Sequence, residues 1–446
     1  MRRRVAMISE HASPVALLGG VDAGGQNVYV DAVSRGIVQH GYDADVFTVH
    51  NDPSLPEVID WAEGVRVINI PVGAATPVLK DALWPFMPAF RDGIAAFALR
   101  QRQPYALIHG NFWMSGWAAA ALGARWSVPV VQIFHAMGMT KLREQGAADT
   151  SPAGRIAVER EVVRAVDRLI AQCPAERDEL LDDYGAREGQ IALIPSAVNV
   201  DRFRPLAQAV ARRELGLDPA ARIIVYVGRV VPRKDVRNVV RALAHLNTLH
   251  LAEDGRPRPH LIVVGGETER PDPAATPEIG VLQALAAELG VDDQVRFAGR
   301  RQPDDLHRWY AAADVAVTTP WYEPFGLTPL EAMACGTPVI GSRVGGIAFT
   351  IADGETGFLV PPRDPPALAR RLAALLRDPS LRERMGRAGR ARVLRLFTWT
   401  QVAARTAALY DSLLDAAAFQ PGQERTMQTV ARPRAMGAGL QETYRD

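Results

Sequence analysis

Short, mainly apolar runs alternate along this chain with longer stretches whose apolar residues recur at helical spacing. The first run, residues 5–9, leads through a Gly-rich loop at 18–25 into a helical pattern over 28–38, the order that opens a doubly wound α/β unit. The same reading predicts strands over 44–49, 65–70, 106–108, 130–134, 168–171 and 191–194, with helices at 93–101 and 117–125 among them. Strands without polar alternation, separated by amphipathic helices, pack as a parallel sheet covered on both faces.

After Pro205 a polar helix rich in Ala and Arg is predicted over 207–215, and the alternation then restarts with a strand over 223–227. Strands at 261–264, 295–297, 315–318, 338–341 and 357–360 follow, with helices at 235–246, 279–289, 303–312 and 327–334. The restart sets a boundary near residue 206, which divides the chain into a first domain of 1–205 and a second of 206–396. Each half has the Rossmann-like pattern, and no shorter period repeats, so the halves share architecture only. Beyond Ala417 periodicity gives way to Gln, Gly, Arg and Pro, and residues 418–446 are expected to form a disordered tail. Ligands of open parallel sheets sit outside the carboxyl ends of the strands, so two facing sheets would enclose a cleft for two ligands.

Composition narrows the partners. The 446 residues carry 51 basic and 50 acidic side chains, a net charge of +1 that gives no reason to expect nucleic acid. No apolar stretch reaches the ~18 residues needed to cross a bilayer, and the run over 5–8 is too short for a signal-peptide core. A cytoplasmic location without a transmembrane segment is expected. Cys173 and Cys335 are too few for a disulfide framework or a zinc site and, among apolar neighbours, read as buried thiols.

Four motifs carry candidate chemistry. Gly24 and Gly25 end a loop between a strand and a helix, where glycines let the backbone approach a phosphate and a helix N-terminus favours negative charge. A merely flexible loop is the alternative. The loop departs from the G-x-G-x-x-G spacing, and the second strand runs into His50 where a dinucleotide site wants an acid. Asp43-Ala44-Asp45 has the spacing of a divalent-metal site, but it opens a predicted strand, the end away from ligands, so no metal is expected there. Val227-Gly228-Arg229 with Lys234 reads either as a diphosphate clamp or as a solvated basic turn beside Arg233 and Arg237. The most specific element is Glu323-Pro324-Phe325-Gly326-Leu327-Thr328-Pro329-Leu330-Glu331. It joins a strand to a helix, turns the amides of Gly326 to Thr328 towards the cleft, and supplies one carboxylate for sugar hydroxyls and another for a ribose.

In these residues the chain resembles the retaining GT-B glycosyltransferases that include the sucrose-phosphate synthases, sucrose synthases and the mycothiol-pathway glycosyltransferase. The resemblance extends to about Leu413 and includes Gly24-Gly25, Gly228-Arg229 with Lys234, the element from Glu323 to Glu331, and Gly345-Gly346. It implies that a nucleotide-sugar sits on the second domain. Arg229 and Lys234 would neutralise its diphosphate, Glu331 would hold the ribose, and Glu323 with the amides of Phe325, Gly326, Leu327 and Thr328 would hold the sugar and distal phosphate. A His after a strand is more often structural, but His135 in Phe134-His135-Ala136-Met137-Gly138, six residues before Lys141, matches the family pattern and is expected to face the donor sugar. Residues 397–413 resemble the family's terminal helix, which crosses back to the first, acceptor-binding domain.

The resemblance further implies transfer of a hexosyl group from a UDP-sugar, UDP-glucose or UDP-GlcNAc, with retention of configuration; with Asp43-Ala44-Asp45 misplaced and a cationic clamp available, neither metal nor cofactor is expected. In the family's proposed front-face route the departing diphosphate oxygen takes the acceptor hydroxyl's proton, so the protein positions reactants and stabilises charge. The acceptor is expected to be a small, phosphorylated sugar or polyol. His109-Gly110-Asn111-Phe112-Trp113 resembles the acceptor-side segment, which makes Asn111 a candidate contact. Asn111 and Phe112 stand where the mycothiol-pathway enzyme has His and Tyr, and Ala136 replaces a Thr, which removes donors for an inositol phosphate. Lys141 and Arg155, similar in placement to cations of sucrose-phosphate synthase, are candidates for an acceptor anion, solvated loop charges being the alternative. The rival classes are a nicotinamide-dependent oxidoreductase and a catalytically silent nucleotide-sugar binder. The loop spacing weighs against the first and the presence of Lys234, Glu323 and His135 against the second; a homo-oligomer is compatible with each.

Overall fold

The computed structural model of the chain describes residues 2–15, 24–73, 78–249 and 257–418. Residues 18–23 of the Gly-rich loop and 419–446 of the expected tail lie outside the described residues. The first sheet comprises β1 (Arg3–Ile8), β2 (Tyr42–Val49), β3 (Val58–Ala62), β4 (Val65–Ile70), β5 (Leu107–Asn111), β6 (Val130–Ile133), β7 (Arg168–Ala171) and β8 (Ile191–Leu193). Its spatial order is β3-β4-β2-β1-β5-β6-β7-β8. The second comprises β9 (Arg222–Val227), β10 (Pro259–Val264), β11 (Val295–Gly299), β12 (Val315–Thr318), β13 (Val339–Ser342) and β14 (Gly357–Val360), in the order β11-β10-β9-β12-β13-β14.

The central strands are buried along nearly their whole length because helices cover both faces, as their continuous apolar composition requires. One departure from an all-parallel sheet is β3, which pairs antiparallel with β4 at the sheet edge. Half-buried, with Asp60 exposed at its centre, it lacks the apolar run by which the others are recognised. The strand order reverses at β1, between β2 and β5, and at β9, between β10 and β12. These are the positions where such sheets hold ligands.

Helix Pro379–Leu396 packs on helix Leu327–Ala334 of the second half, and the terminal helix Trp399–Ala418 then returns to the first, packing on helix Gly25–Val38. A Cβ on Gly36 would lie 2.5 Å from that of Ala403, so glycine is what allows the helices to approach. Tyr410 Oη lies 2.6 Å from His109 Nδ1 in the buried core, and Tyr42 Oη donates to Asp411 at 2.6 Å. Asp45, at 1% exposure, accepts from Arg66 Nε and Nη2 (2.8 and 2.6 Å) and from Tyr105 Oη (2.6 Å), so this acid braces strands away from the cleft. Both cysteines are buried. Among the described residues no helix is long and apolar enough to cross a membrane.

Candidate active site

On the first sheet the site is built at the carboxyl ends of β5 and β6. The residues just past these strands, Phe112 (φ 79°) and His135 (φ 60°), adopt positive φ without being glycine, and Phe112 with ψ 164° occupies a region that is almost exclusively glycine's. Such backbone costs about 1–3 kcal/mol per residue and persists where surrounding packing enforces it, commonly at functional sites. Tyr29 meets the His135 ring edge-on at 4.9 Å. Burial, then the nearby His109 and His11, push the His135 imidazole down to about 3, so it is neutral at ordinary pH.

The sequence assigned Asn111 to the acceptor, and the structure corrects this. Asn111 is fully buried; its Nδ2 donates to the carbonyls of Ile8 and His109, both at 3.3 Å, and its Oδ1 lies 3.1 Å from His135 Nε2. Both amide hydrogens and one oxygen lone pair are engaged within the fold.

On the second sheet, β9 ends at Val227 and leads through Gly228 and an exposed Arg229 to a 3-10 turn, Pro232–Lys234. Lys234 Nζ forms a direct ion pair with Glu323 Oε2, and Arg233 Nη1 stands 3.9 Å from the same oxygen. Burial alone would raise the Glu323 carboxyl; Lys234, Arg233 and the more distant Arg229 outweigh it and hold it below its ordinary value. Glu323 is therefore a carboxylate, with cations gathered around it. Arg233, bypassed at the sequence level as a bland neighbour, is part of this cluster and stacks over Tyr322 at 5.4 Å.

Gly326, at φ 84°, caps helix Leu327–Ala334 without any side-chain bond, which leaves the helix N-terminus to an outside acceptor. The turn from Glu323 to Gly326 rests on Gly345 and Gly346. The amide of Gly346 donates to the Glu323 carbonyl at 3.1 Å, and a Cβ at Gly346 would fall 2.3 Å from Phe325 Cα. Further along, Thr328 Oγ1 lies 3.4 Å from Thr318 Oγ1. Glu331 accepts from Tyr310 Oη at 2.8 Å, and burial, only partly offset by that bond, lifts its carboxyl to about 6.

The two halves meet here. A Cβ on Gly25, at the start of the first long helix, would lie 3.3 Å from Leu327, so Gly24 and Gly25 stand against the beginning of the helix that follows Glu323. Cys173 Sγ lies 3.5 Å from the Pro324 carbonyl. A cleft of about 470 Å³ opens beside this contact, walled by Ala136 and Met137 on one side and Glu323, Pro324 and Gly345 on the other.

Lys141 and Arg155 are not free cations awaiting an anion. Lys141 pairs with Asp149 at 2.9 Å and donates to Ser151 at 3.0 Å. Arg155, 4% exposed, pairs with Glu159 at 2.8 Å and donates to the Ala136 carbonyl (2.6 Å) and Ser151 (3.2 Å). Both brace the loop that carries Asp149 and Ser151, although that loop and Arg155 also line a hollow of about 260 Å³. The Phe112 ring brings together a different pair: Lys80 Nζ lies 5.8 Å and the Arg155 guanidinium 5.1 Å from its centre. Lys80 stands in a short 3-10 turn with no periodic pattern around it, so nothing in the sequence singles it out.

A family profile described as glycosyl transferases group 1 matches residues 208–392, and one described as glycosyl transferase 4-like domain matches 24–197. The chain is 39% identical over 413 residues to the D-inositol 3-phosphate glycosyltransferase of Streptomyces bingchenggensis, covering 92% of this chain and 89% of that relative. It superposes on sucrose-phosphate synthase from Thermosynechococcus elongatus with a TM-score of 0.82 at 34% identity, over 93% of this chain and 100% of the other. WaaG, a glycosyltransferase involved in lipopolysaccharide biosynthesis, shares the fold with a TM-score of 0.64 at 19% identity, over 91% and 99% of the two chains.

Proposed function

The chain belongs to the group 1 glycosyltransferases with the GT-B fold, and from that premise we propose that it transfers a hexosyl group from a UDP-sugar to a small phosphorylated polyol, with retention of configuration. Family membership sets aside the oxidoreductase reading. The observation that carries the donor assignment is the Lys234–Glu323 pair, with Arg233 and Arg229 around it, beside the uncapped N-terminus of helix Leu327–Ala334. Fixed cations and unpaired amides beside one carboxylate suit a diphosphate that gains charge as its bond to the sugar breaks. The departing phosphate oxygen takes the acceptor proton, and neutral His135 contacts the donor sugar from the facing sheet.

On the acceptor side, the inositol phosphate named for the relatives is the first compound to test. Phe112 and Ala136 provide no hydroxyl there. Calorimetry provides the test of the donor site. UDP should bind and raise the melting temperature, whereas NAD should do neither; binding of NAD in preference to UDP would overturn the assignment.

Glu331 gives the donor site a pH dependence of defined sign. Its carboxyl titrates at about 6, and ribose hydroxyls donate to the ionised form, so affinity should be full above that value and weaken as pH falls through it. For UDP-glucose, whose diphosphate does not titrate in this range, the loss should approach roughly tenfold per pH unit below the transition. Titrations between pH 8 and 5 should show it in the wild type and not in Glu331→Gln; an identical dependence in both would remove the ribose role.

A further inference from the structure

The buried carboxamide of Asn111 has one orientation that satisfies its surroundings. Its Nδ2 faces two carbonyl oxygens, those of Ile8 and His109, and turning the amide over would set Oδ1 against both. Oδ1 is therefore the atom 3.1 Å from His135 Nε2, and as an acceptor it needs a hydrogen on that nitrogen. The His135 ring cannot easily evade this demand. Its backbone is pinned at φ 60°, and Tyr29 packs edge-on against one side of the ring. The titratable groups nearby are Tyr29, His109 and His11, none of them a carboxylate that would favour an imidazolium.

We propose that Asn111 is a positioning residue that fixes His135 as the Nε2–H tautomer, so that its bare Nδ1 accepts a hydrogen bond from a hydroxyl of the bound donor sugar. Among the described residues Nδ1 has no hydrogen-bond partner. A ring with a single proton, held on the side away from the ligand, can only accept on the other side, so it selects a hydroxyl that donates. The proposal rests on the donor-site reading for the identity of that hydroxyl, but the tautomer itself is a property of the ligand-free protein.

Long-range ¹H–¹⁵N spectra of histidine-labelled full-length protein test it, with the His135 signals identified by their loss in His135→Gln. Wild-type His135 should show a protonated Nε2 and an unprotonated Nδ1, unchanged from pH 8 to 5.5. Asn111→Ala should release the preference and mix the two tautomers, lowering kcat about tenfold with little change in acceptor KM. Asn111→Asp places a carboxylate where the amide oxygen was and should favour the imidazolium, so its activity should be low near pH 6 and recover as pH rises. A wild-type ring protonated at Nδ1, or doubly protonated in that range, would overturn the proposal, as would an Asn111→Ala ring with the wild-type pattern. UDP binding, measured on the same samples, separates this failure from failure of the donor-site reading.

Discussion

Lys234→Ala should lower kcat about 100-fold while the protein stays folded, a loss of about 3 kcal/mol in transition-state stabilisation. Lys234 is the cation in direct contact with Glu323, and with Arg233 and Arg229 it supplies the positive field in which a departing diphosphate would gain charge. Its removal has a second effect with a defined sign. Burial raises the Glu323 carboxyl and the three cations lower it, so without Lys234 the Glu323 titration moves upward and the acid limb of the pH–rate profile moves to higher pH. The contribution of this carboxylate to stability is present above its unfolded value and lost as pH falls through its depressed folded value, and the variant loses part of it. Steady-state kinetics across pH, with melting curves at each pH, measure both effects. A kcat within fivefold of wild type, or an unmoved acid limb, would show that Lys234 is a solvated charge with no part in the clamp. The double variant with Glu323→Gln should lose far less than the product of the single losses, because the two side chains act on one site.

Gly346→Ala should also cost at least about 100-fold in kcat, although the side chain never touches substrate. The new Cβ would lie 2.3 Å from both Phe325 Cα and the Phe325 carbonyl oxygen, so the backbone from Glu323 to Gly326 must move. A displacement of about 1 Å at a positioning element commonly costs that much in rate, and overpacking adds about 1–3 kcal/mol of lost stability. Gly354→Ala is the control. It has φ 82° but nothing within 4 Å, in an exposed turn, so it pays only local backbone strain and should keep wild-type kcat. Comparable activity of Gly346→Ala and Gly354→Ala would mean that the 323–326 turn does not position the donor.

Most strands of both sheets are legible in the sequence because burial on two faces leaves them mainly apolar. The same physics hides β3, whose edge position leaves Asp60 exposed. It also hides helices Gly138–Gln145 and Pro174–Asp182, which bury few side chains and so carry no apolar stripe. Lys234 and Glu323 could be nominated separately from their strand-to-helix turns, but their pairing bridges 89 positions and only the fold brings them together. Asn111 was misassigned because a polar residue at a strand's carboxyl end can face either the cleft or the interior, and its three buried partners decide for the interior. Arg155 is similar: a candidate for an acceptor anion by its placement, it is held inside by Glu159, one turn further on.

The most direct measurement of the central claim is product analysis of a reaction containing the full-length protein, a UDP-sugar and inositol 3-phosphate. Mass spectrometry would give the product mass and proton NMR the anomeric coupling of the transferred sugar. The expected result is one hexosyl unit added per UDP released, in the α configuration carried by the donor, with EDTA making no difference. A β-linked product, UDP released without transfer, or no turnover of UDP-glucose or UDP-GlcNAc with any phosphorylated polyol offered would contradict it.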